Sequence, residues 1–343
     1  MKNVKKKIWY GVLLILLVFA LVHLDLRGLW GSITQIPLWI LAVLIALQIV
    51  SQLLVNTQWF QVARFSDARI SFREMFLINC QGAVVDSITP GVKVGGEVTR
   101  AVQISRKGDC SGRQAAAVVA VQKLFSLSAF FFISLFALGF IFSDSSMVQT
   151  SSLHFVVYGF LICFLLLLIF IFVFPHRILE YLERRNNVPR RAVFEKLRGF
   201  IFNMLQGLIY FRKNSKAWIF QIVLSFFIWI LYPVKMYLLT LHIYNDASLV
   251  FFGAVTFASY LVAMIPIFPG GLGGFEATMA GLLIAGGFTQ SSAVAIAVVF
   301  RFFTFWFVML FSLCFIGVHK LRRTRSMRLH IDEGECSAKC ETE

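Results

Sequence analysis

The sequence predicts an all-α, polytopic membrane protein, and three observations carry that prediction. Hydrophobic residues fill 59% of the 343 positions while only 14% are charged, apolar runs of spanning length recur along the chain, and Lys and Arg gather in the segments between them. A soluble core of this length has no use for that much apolar surface, so lipid is the solvent. The formal net charge of +15 does not read as nucleic-acid binding, because the basic residues sit between apolar runs rather than on one soluble face. The 38 Phe residues suit helix faces packed against acyl chains and say nothing about a reaction.

The first run, Ile8–Leu24, follows Lys2, Lys5, Lys6 and Lys7. No small-x-small cleavage pattern comes after it, so it is expected to remain as a helix. Further spans are expected at Leu38–Val62, Ala115–Phe142, Leu153–Phe174, Ala217–Leu241, Leu249–Phe268 and Ser291–Val318, each able to cross about 30 Å of hydrocarbon. Met75–Ile88 and Phe275–Gly287 are shorter or interrupted by polar residues and Gly, and read as half-helices. Arg64–Arg73, Arg100–Arg113, Arg177–Lys216 and Lys320–Arg328 are basic, whereas Ser143–Ser152 and His242–Ser248 carry only Asp144 and Asp246. The basic side is the cytoplasmic one, which predicts both termini there, in a cytoplasmic (inner) membrane. With basic flanks on both sides, Met75–Val98 must enter and leave on one side as a re-entrant hairpin, and the expected total is about eight crossings.

Between Arg177 and Lys216 lie ten Lys or Arg and three Glu, with Phe194, Leu197, Ile201, Leu205 and Leu208 at helical spacing. Residues 177–213 are therefore expected to form an amphipathic helix on the cytoplasmic leaflet. Residues 1–320 read as one membrane domain, and 321–343, basic then acidic, as a disordered cytoplasmic tail. Cys163 and Cys314 lie inside apolar runs and Cys336 and Cys340 in the polar tail. That is no secreted disulfide framework, and the tail pair near His330 is not read as a zinc site.

Of seven prolines, two open the same eight-residue pattern. Pro90-Gly91-Val92-Lys93-Val94-Gly95-Gly96-Glu97 matches Pro269-Gly270-Gly271-Leu272-Gly273-Gly274-Phe275-Glu276 at Pro, the first Gly, the sixth-position Gly and the final Glu. This is an internal repeat. Pro removes a donor and Gly permits positive φ, so each copy breaks a helix, and broken backbone at membrane depth survives only inside protein or beside a polar cavity. The first break is approached from the cytoplasmic side and the second from outside, which allows an inverted repeat. Tight turns capped by Glu would leave the same pattern, yet two carboxylates in hydrocarbon require partners. Lys93 and Arg100 are available to the first and Arg301, inside an apolar span, to the second. Lys123 and Lys235, also within apolar runs, either snorkel or join the same cavity, with snorkelling favoured for each; Asp86 is either a cap or a member of the site.

At these residues the chain resembles the membrane region of lysylphosphatidylglycerol synthases and the related flippase-like UPF0104-type families. The resemblance rests on Ser87-Ile88-Thr89-Pro90-Gly91 through Gly96-Glu97-Val98-Thr99-Arg100-Ala101, on Ile265-Pro266-Ile267-Phe268-Pro269-Gly270-Gly271-Leu272-Gly273 to Glu276, and on Arg301. It implies a lipid-translocating membrane domain, which in two-part synthases moves an aminoacylated phospholipid made by a cytoplasmic transferase domain. Some 25 residues follow Val318, too few for such a domain, so lysyl transfer is not expected of this chain. Family members tend to carry an acid–base pair in the span after the first motif, where Ala120-Val121-Gln122-Lys123-Leu124 keeps only the base.

The expected function is a flippase in which Pro90, Gly91, Gly95, Gly96, Glu97 and Arg100, with Pro269, Gly270, Gly271, Gly273, Glu276 and Arg301, form a polar path for a headgroup. The expected ligands are membrane lipids, either an anionic phospholipid or a polyprenyl-phosphate-linked lipid, and a lipid-synthesis enzyme is a candidate partner. No catalytic residue, metal or cofactor is assigned, and no Gly-x4-Gly-Lys-Ser/Thr loop is present for direct ATP use. The alternatives are a membrane enzyme transferring a sugar or other group to a lipid carrier, which would want clustered acids at a membrane face, and a non-transporting partner of a lipid-modifying enzyme.

Overall fold

The computed structural model describes residues 31, 33–66, 68–89, 94–143, 151–184, 192–241, 248–265 and 271–322. Every element among them is a helix: α1 (Leu38–Phe65), α2 (Phe72–Ile88), α3 (Val94–Lys107), α4 (Gly112–Ser143), α5 (Ser151–Val173), α6 (Pro175–Arg184), α7 (Ala192–Arg212), α8 (Ser215–Thr240), α9 (Leu249–Ala263), α10 (Gly274–Ala285) and α11 (Gln290–Arg301). After a π-helical stretch at Phe302–Trp306, α11 continues to Arg322. The expected span Ile8–Leu24 and the tail 323–343 lie outside the described residues.

Helix starts follow local side-chain chemistry. Ser71 and Glu74 form a reciprocal capping box on α2, Ser111 and Gln114 do the same for α4, and Asn214, Ser248 and Thr289 cap α8, α9 and α11. Each satisfies backbone N–H groups that the first helical turn leaves without carbonyl partners.

Five described helices are long and apolar enough to cross a membrane: α1, α4, α5, α8 and α11. The expected span Leu249–Phe268 is not continuous, because the helix stops at Ala263 after 15 residues, about 22 Å at about 1.5 Å per residue. The chain turns back there. Gly286 at the end of α10 faces the Phe251 ring near the start of α9, and Gly274 faces Val262, so α9 and α10 are antiparallel arms of one hairpin. Arms of 15 and 12 residues are shorter than the roughly 30 Å hydrocarbon core. This hairpin was not foreseen as re-entrant, since its first arm has the composition of a full span. The hairpin expected at Met75–Val98 is present as α2 and α3, whose outer ends meet through the hydrogen bond from Arg69 N to Gly108 O at 3.1 Å.

The two hairpins belong to matched units. In each, a long helix (α1 or α8) precedes a hairpin (α2–α3 or α9–α10), and a second long helix (α4 or α11) follows it. The leading helices pair side by side in opposite directions. Lys235 reaches Gln48 at 2.6 Å and Ser51 at 2.8 Å, while Gln58 donates to Ser225 at 2.6 Å and Gln221 to Gln61 at 2.9 Å. As residue numbers rise along α1 they fall along α8, so the second unit is inverted relative to the first. Packing repeats as well. α4 packs on α9, with Phe130 and Phe257 ring centroids 5.6 Å apart, and α11 packs on α2 through Phe76 with Phe311 and Phe315 at 6.2 and 4.8 Å.

Two sequence expectations change here. Lys235 does not snorkel: it is 1% exposed, its ammonium held by Gln48, Ser51 and the Tyr232 ring, whose centroid is 4.8 Å away. Within 177–213 the described residues form two helices, α6 and α7, rather than one. α6 and α7 pack on each other, and α7 turns Leu205 and Leu208, both fully buried, into the protein, with Gly207 against Ala117 and Val121 of α4. Leu205 and Leu208 of the expected apolar stripe are thus covered by protein.

Inversion makes a topological prediction. On an otherwise cysteine-free background, exposed residues at the starts of α4 and α11, as Arg113→Cys and Gln290→Cys, will react with a membrane-impermeant thiol reagent from opposite faces; labelling from one face would rule out the inverted arrangement. The α2 cap predicts a pH effect. The Ser71 backbone and hydroxyl donors hold the Glu74 carboxyl below its ordinary range, so this cap is intact above the ordinary carboxylate pKa and is lost as pH falls through the depressed value. Protection from hydrogen exchange in the first turn of α2, measured relative to the intrinsic rate at each pH, will fall in acid in the wild type and be low throughout in Ser71→Ala.

Candidate functional site

Each hairpin breaks where the sequence repeat lies, and each arm after the break starts with a carboxylate in its first turn: Glu97 in α3 and Glu276 in α10. The positive end of a helix dipole favours an anion there. Of the repeat, Pro90, Gly91, Lys93, Pro269 and Gly270 lie outside the described residues; Gly95, Gly96, Glu97, Arg100, Gly271, Gly273, Glu276 and Arg301 are described.

At the first break four charged side chains meet. Arg100 Nη1 donates to Asp86 Oδ2 at 3.0 Å and to Glu97 Oε1 at 3.2 Å, and Lys123 Nζ from α4 approaches the same Glu97 oxygen at 2.7 Å. Asp86 Oδ1 accepts the Gly96 N–H at 2.9 Å. Asp86 thus serves both of the roles left open for it, clamping the two arms and pairing with Arg100. The clamp needs glycine at 96, since a Cβ there would overlap the Asp86 carboxylate. Arg100 also lies over Trp59 of α1, 5.3 Å from the ring centroid. Glu97 Oε2 and Arg100 Nε are buried with no hydrogen-bond partner among the described residues. Such groups are costly unless something else completes them.

At the second break Glu276 Oε2 accepts the Gly273 N–H at 2.7 Å, and Oε1 lies 3.2 Å from Arg301 Nε. Glu276 therefore caps its helix and pairs with a cation at once. Gly271 and Gly273 have φ of +69° and +83°, conformations open to glycine at little cost. Gly271 also sits against Ala263, where a Cβ would come within 2.9 Å of the carbonyl oxygen. The Arg301 guanidinium lies between Phe275 and Phe305, 4.6 and 4.5 Å from their centroids. The π-helical stretch begins at the next residue, a local widening common where a helix carries a site. Tyr260 stands 4.9 Å from Phe275, and Tyr232 5.2 Å from Tyr260. Arg301 is paired with Glu276 as the sequence suggested.

The two constellations correspond in one carboxylate and one cation. Lys123 is the twelfth residue of α4 and Arg301 the twelfth of α11; each meets the carboxylate opening the preceding hairpin arm. Of the two readings of Lys123, snorkelling was favoured, and the structure shows the other, pairing it with Glu97. The near-equal separations Glu97 to Lys123 and Glu276 to Arg301 were the signal in the sequence that would have assigned it. Trp59, Phe275 and Phe305 had no sequence signal beyond being aromatic in an aromatic-rich chain.

Such an arrangement offers, in each unit, a carboxylate and a cation that a polar group can enter between, on backbone already freed from helical hydrogen bonding. Ion pairs in a low-dielectric setting are held by geometry, and an incoming group with its own charge can replace either partner.

Curated relatives share this length and character. The chain is 24% identical over 283 residues to a UPF0104 membrane protein of Methanothermobacter thermautotrophicus, covering 79% of this chain and 82% of the relative. It is 27% identical over 305 residues to a UPF0104 membrane protein of Methanocaldococcus jannaschii, covering 83% and 85%. A third, from Pyrococcus horikoshii, is 23% identical over 272 residues, covering 75% and 80%. Residues 8–312 match the family described as Lysylphosphatidylglycerol synthase TM region, a stretch that includes both breaks, both carboxylates, Lys123 and Arg301. The chain is a multi-pass integral membrane protein and belongs to that family.

Proposed function

We propose that the protein is a lipid flippase, moving the polar or anionic headgroup of a phospholipid or lipid-linked intermediate past the two hairpins while the acyl chains stay in the bilayer. The observation that carries this reading is the inverted pair of carboxylate–cation sites, Glu97 with Arg100 and Lys123, and Glu276 with Arg301. Paired broken segments in inverted units are the usual architecture of a transport site, and alternating access follows from rocking one unit against the other. The basic segments between the apolar runs support a reading with both termini on the cytoplasmic side of the cytoplasmic membrane.

In proteoliposomes, fluorescent anionic, zwitterionic and polyprenyl-phosphate lipids test this directly. The wild type will accelerate the crossing of at least one class, and Glu97→Gln/Glu276→Gln will slow it at least about tenfold, the loss of roughly 1.4 kcal/mol of differential binding, with folding retained. Equal rates in the two proteins would remove the carboxylates from the mechanism; no crossing with folded wild type would refute the flippase reading. Stability separates the pairs from their function. Arg301→Met leaves Glu276 without its cation and will cost about 3–5 kcal/mol, whereas Arg301→Met/Glu276→Gln will recover much of that loss in a thermal-melt comparison.

A further inference from the structure

Between α4, α5 and α8 the packing leaves an open cleft of about 340 Å³ walled by Phe125, Phe132, Leu165, Ile169 and Phe226. One charged residue lines it, Arg212, the last residue of α7. Its Nη1 donates to the carbonyls of Phe172 and Val173, both at 3.3 Å, where α5 ends. These bonds fix the guanidinium at one end of the cleft. They leave Nε and Nη2 without a hydrogen bond among the described residues. Exposed Lys213 and Lys216 follow in the chain, and Trp218 lines the cleft beside Arg212. The Ser128 hydroxyl, also lining it, is buried with no hydrogen-bond partner among the described residues.

An apolar slot ending in a guanidinium, with two ammonium groups next in sequence and an aromatic residue beside it, has the chemistry of one acyl chain and its phosphodiester. The planar fork of Arg212 suits two phosphate oxygens, and Trp favours the boundary between hydrocarbon and headgroups. A zwitterionic lipid brings its own cation to the phosphate and gains less from this basic end than a lipid whose headgroup carries net negative charge.

We propose that this cleft binds one anionic phospholipid, with an acyl chain in the slot and its phosphate on Arg212, in the leaflet at the chain's basic face. The site is separate from Glu97 and Glu276 and holds whether or not the protein moves lipid. It gives the basic stretch 177–216 a specific ligand beyond its part in setting orientation.

Trp218 reports occupancy. In vesicles containing brominated phosphatidylglycerol or brominated phosphatidylcholine with identical chains, the part of the quenching lost in Trp218→Phe isolates this site. Phosphatidylglycerol will quench it with at least about threefold higher affinity. Arg212→Gln will abolish that preference, Arg212→Lys will keep part of it, and Ala129→Phe, which narrows the slot, will weaken both lipids. Lys213→Gln/Lys216→Gln, at exposed positions, will reduce the preference without abolishing it. Equal quenching by the two lipids in the wild type would overturn the proposal. A preference that survives Arg212→Gln but disappears in Lys213→Gln/Lys216→Gln would also overturn it, as general attraction to a charged surface.

Discussion

Charged groups and open backbone are costly where water is scarce, and the protein meets that constraint by making each solve the other's problem. At both breaks a helix start offers N–H groups and a positive dipole end, a carboxylate in the first turn takes them up, and a cation from the next long helix neutralises the carboxylate. Glu276 does this with its two oxygens, one on Gly273 N–H and one on Arg301. At the first break the work is divided, Asp86 receiving the Gly96 N–H and Glu97 holding Lys123. The hairpins remain folded because these contacts replace what the broken helices give up.

The inverted relation gives similar chemistry twice, in units that run in opposite directions. α1 and α8 run against each other along a buried polar seam of Gln48, Ser51, Gln58, Ser225 and Lys235, and each leads into a hairpin that enters from its own side. Two similar sites facing opposite ways are what a carrier needs to receive a polar group on one face and release it on the other. The sites are not copies in detail: two acids and two bases at the first, one of each at the second, with aromatic rings on both faces of Arg301. Both groups are formally neutral, so they differ in size and surroundings rather than in net charge.

Much of this was legible in residue order. Pro and Gly at fixed offsets marked both breaks because few residues tolerate those backbone demands, and Glu97, Glu276 and Arg301 stood out because hydrocarbon makes any charge conspicuous. Lys123 and Lys235 were misread for the same reason in reverse: a long aliphatic stem allows snorkelling, and only tertiary structure shows Glu97 beside one and Gln48 and Ser51 beside the other. The α9 arm was hidden because twenty apolar residues look like a span whether or not the helix stops at Ala263. The stripe on α7 pointed to lipid, while its Leu205 and Leu208 are covered by protein, since a periodic face records burial but not the identity of what covers it.

The account stands on both sites handling one passing headgroup, and measuring inward and outward lipid translocation separately in Glu97→Gln and in Glu276→Gln tests it most directly. If the headgroup meets both sites on every crossing, each single variant will slow both directions by a similar factor. Wild-type rates in both directions for either variant would show that its site lies off the path.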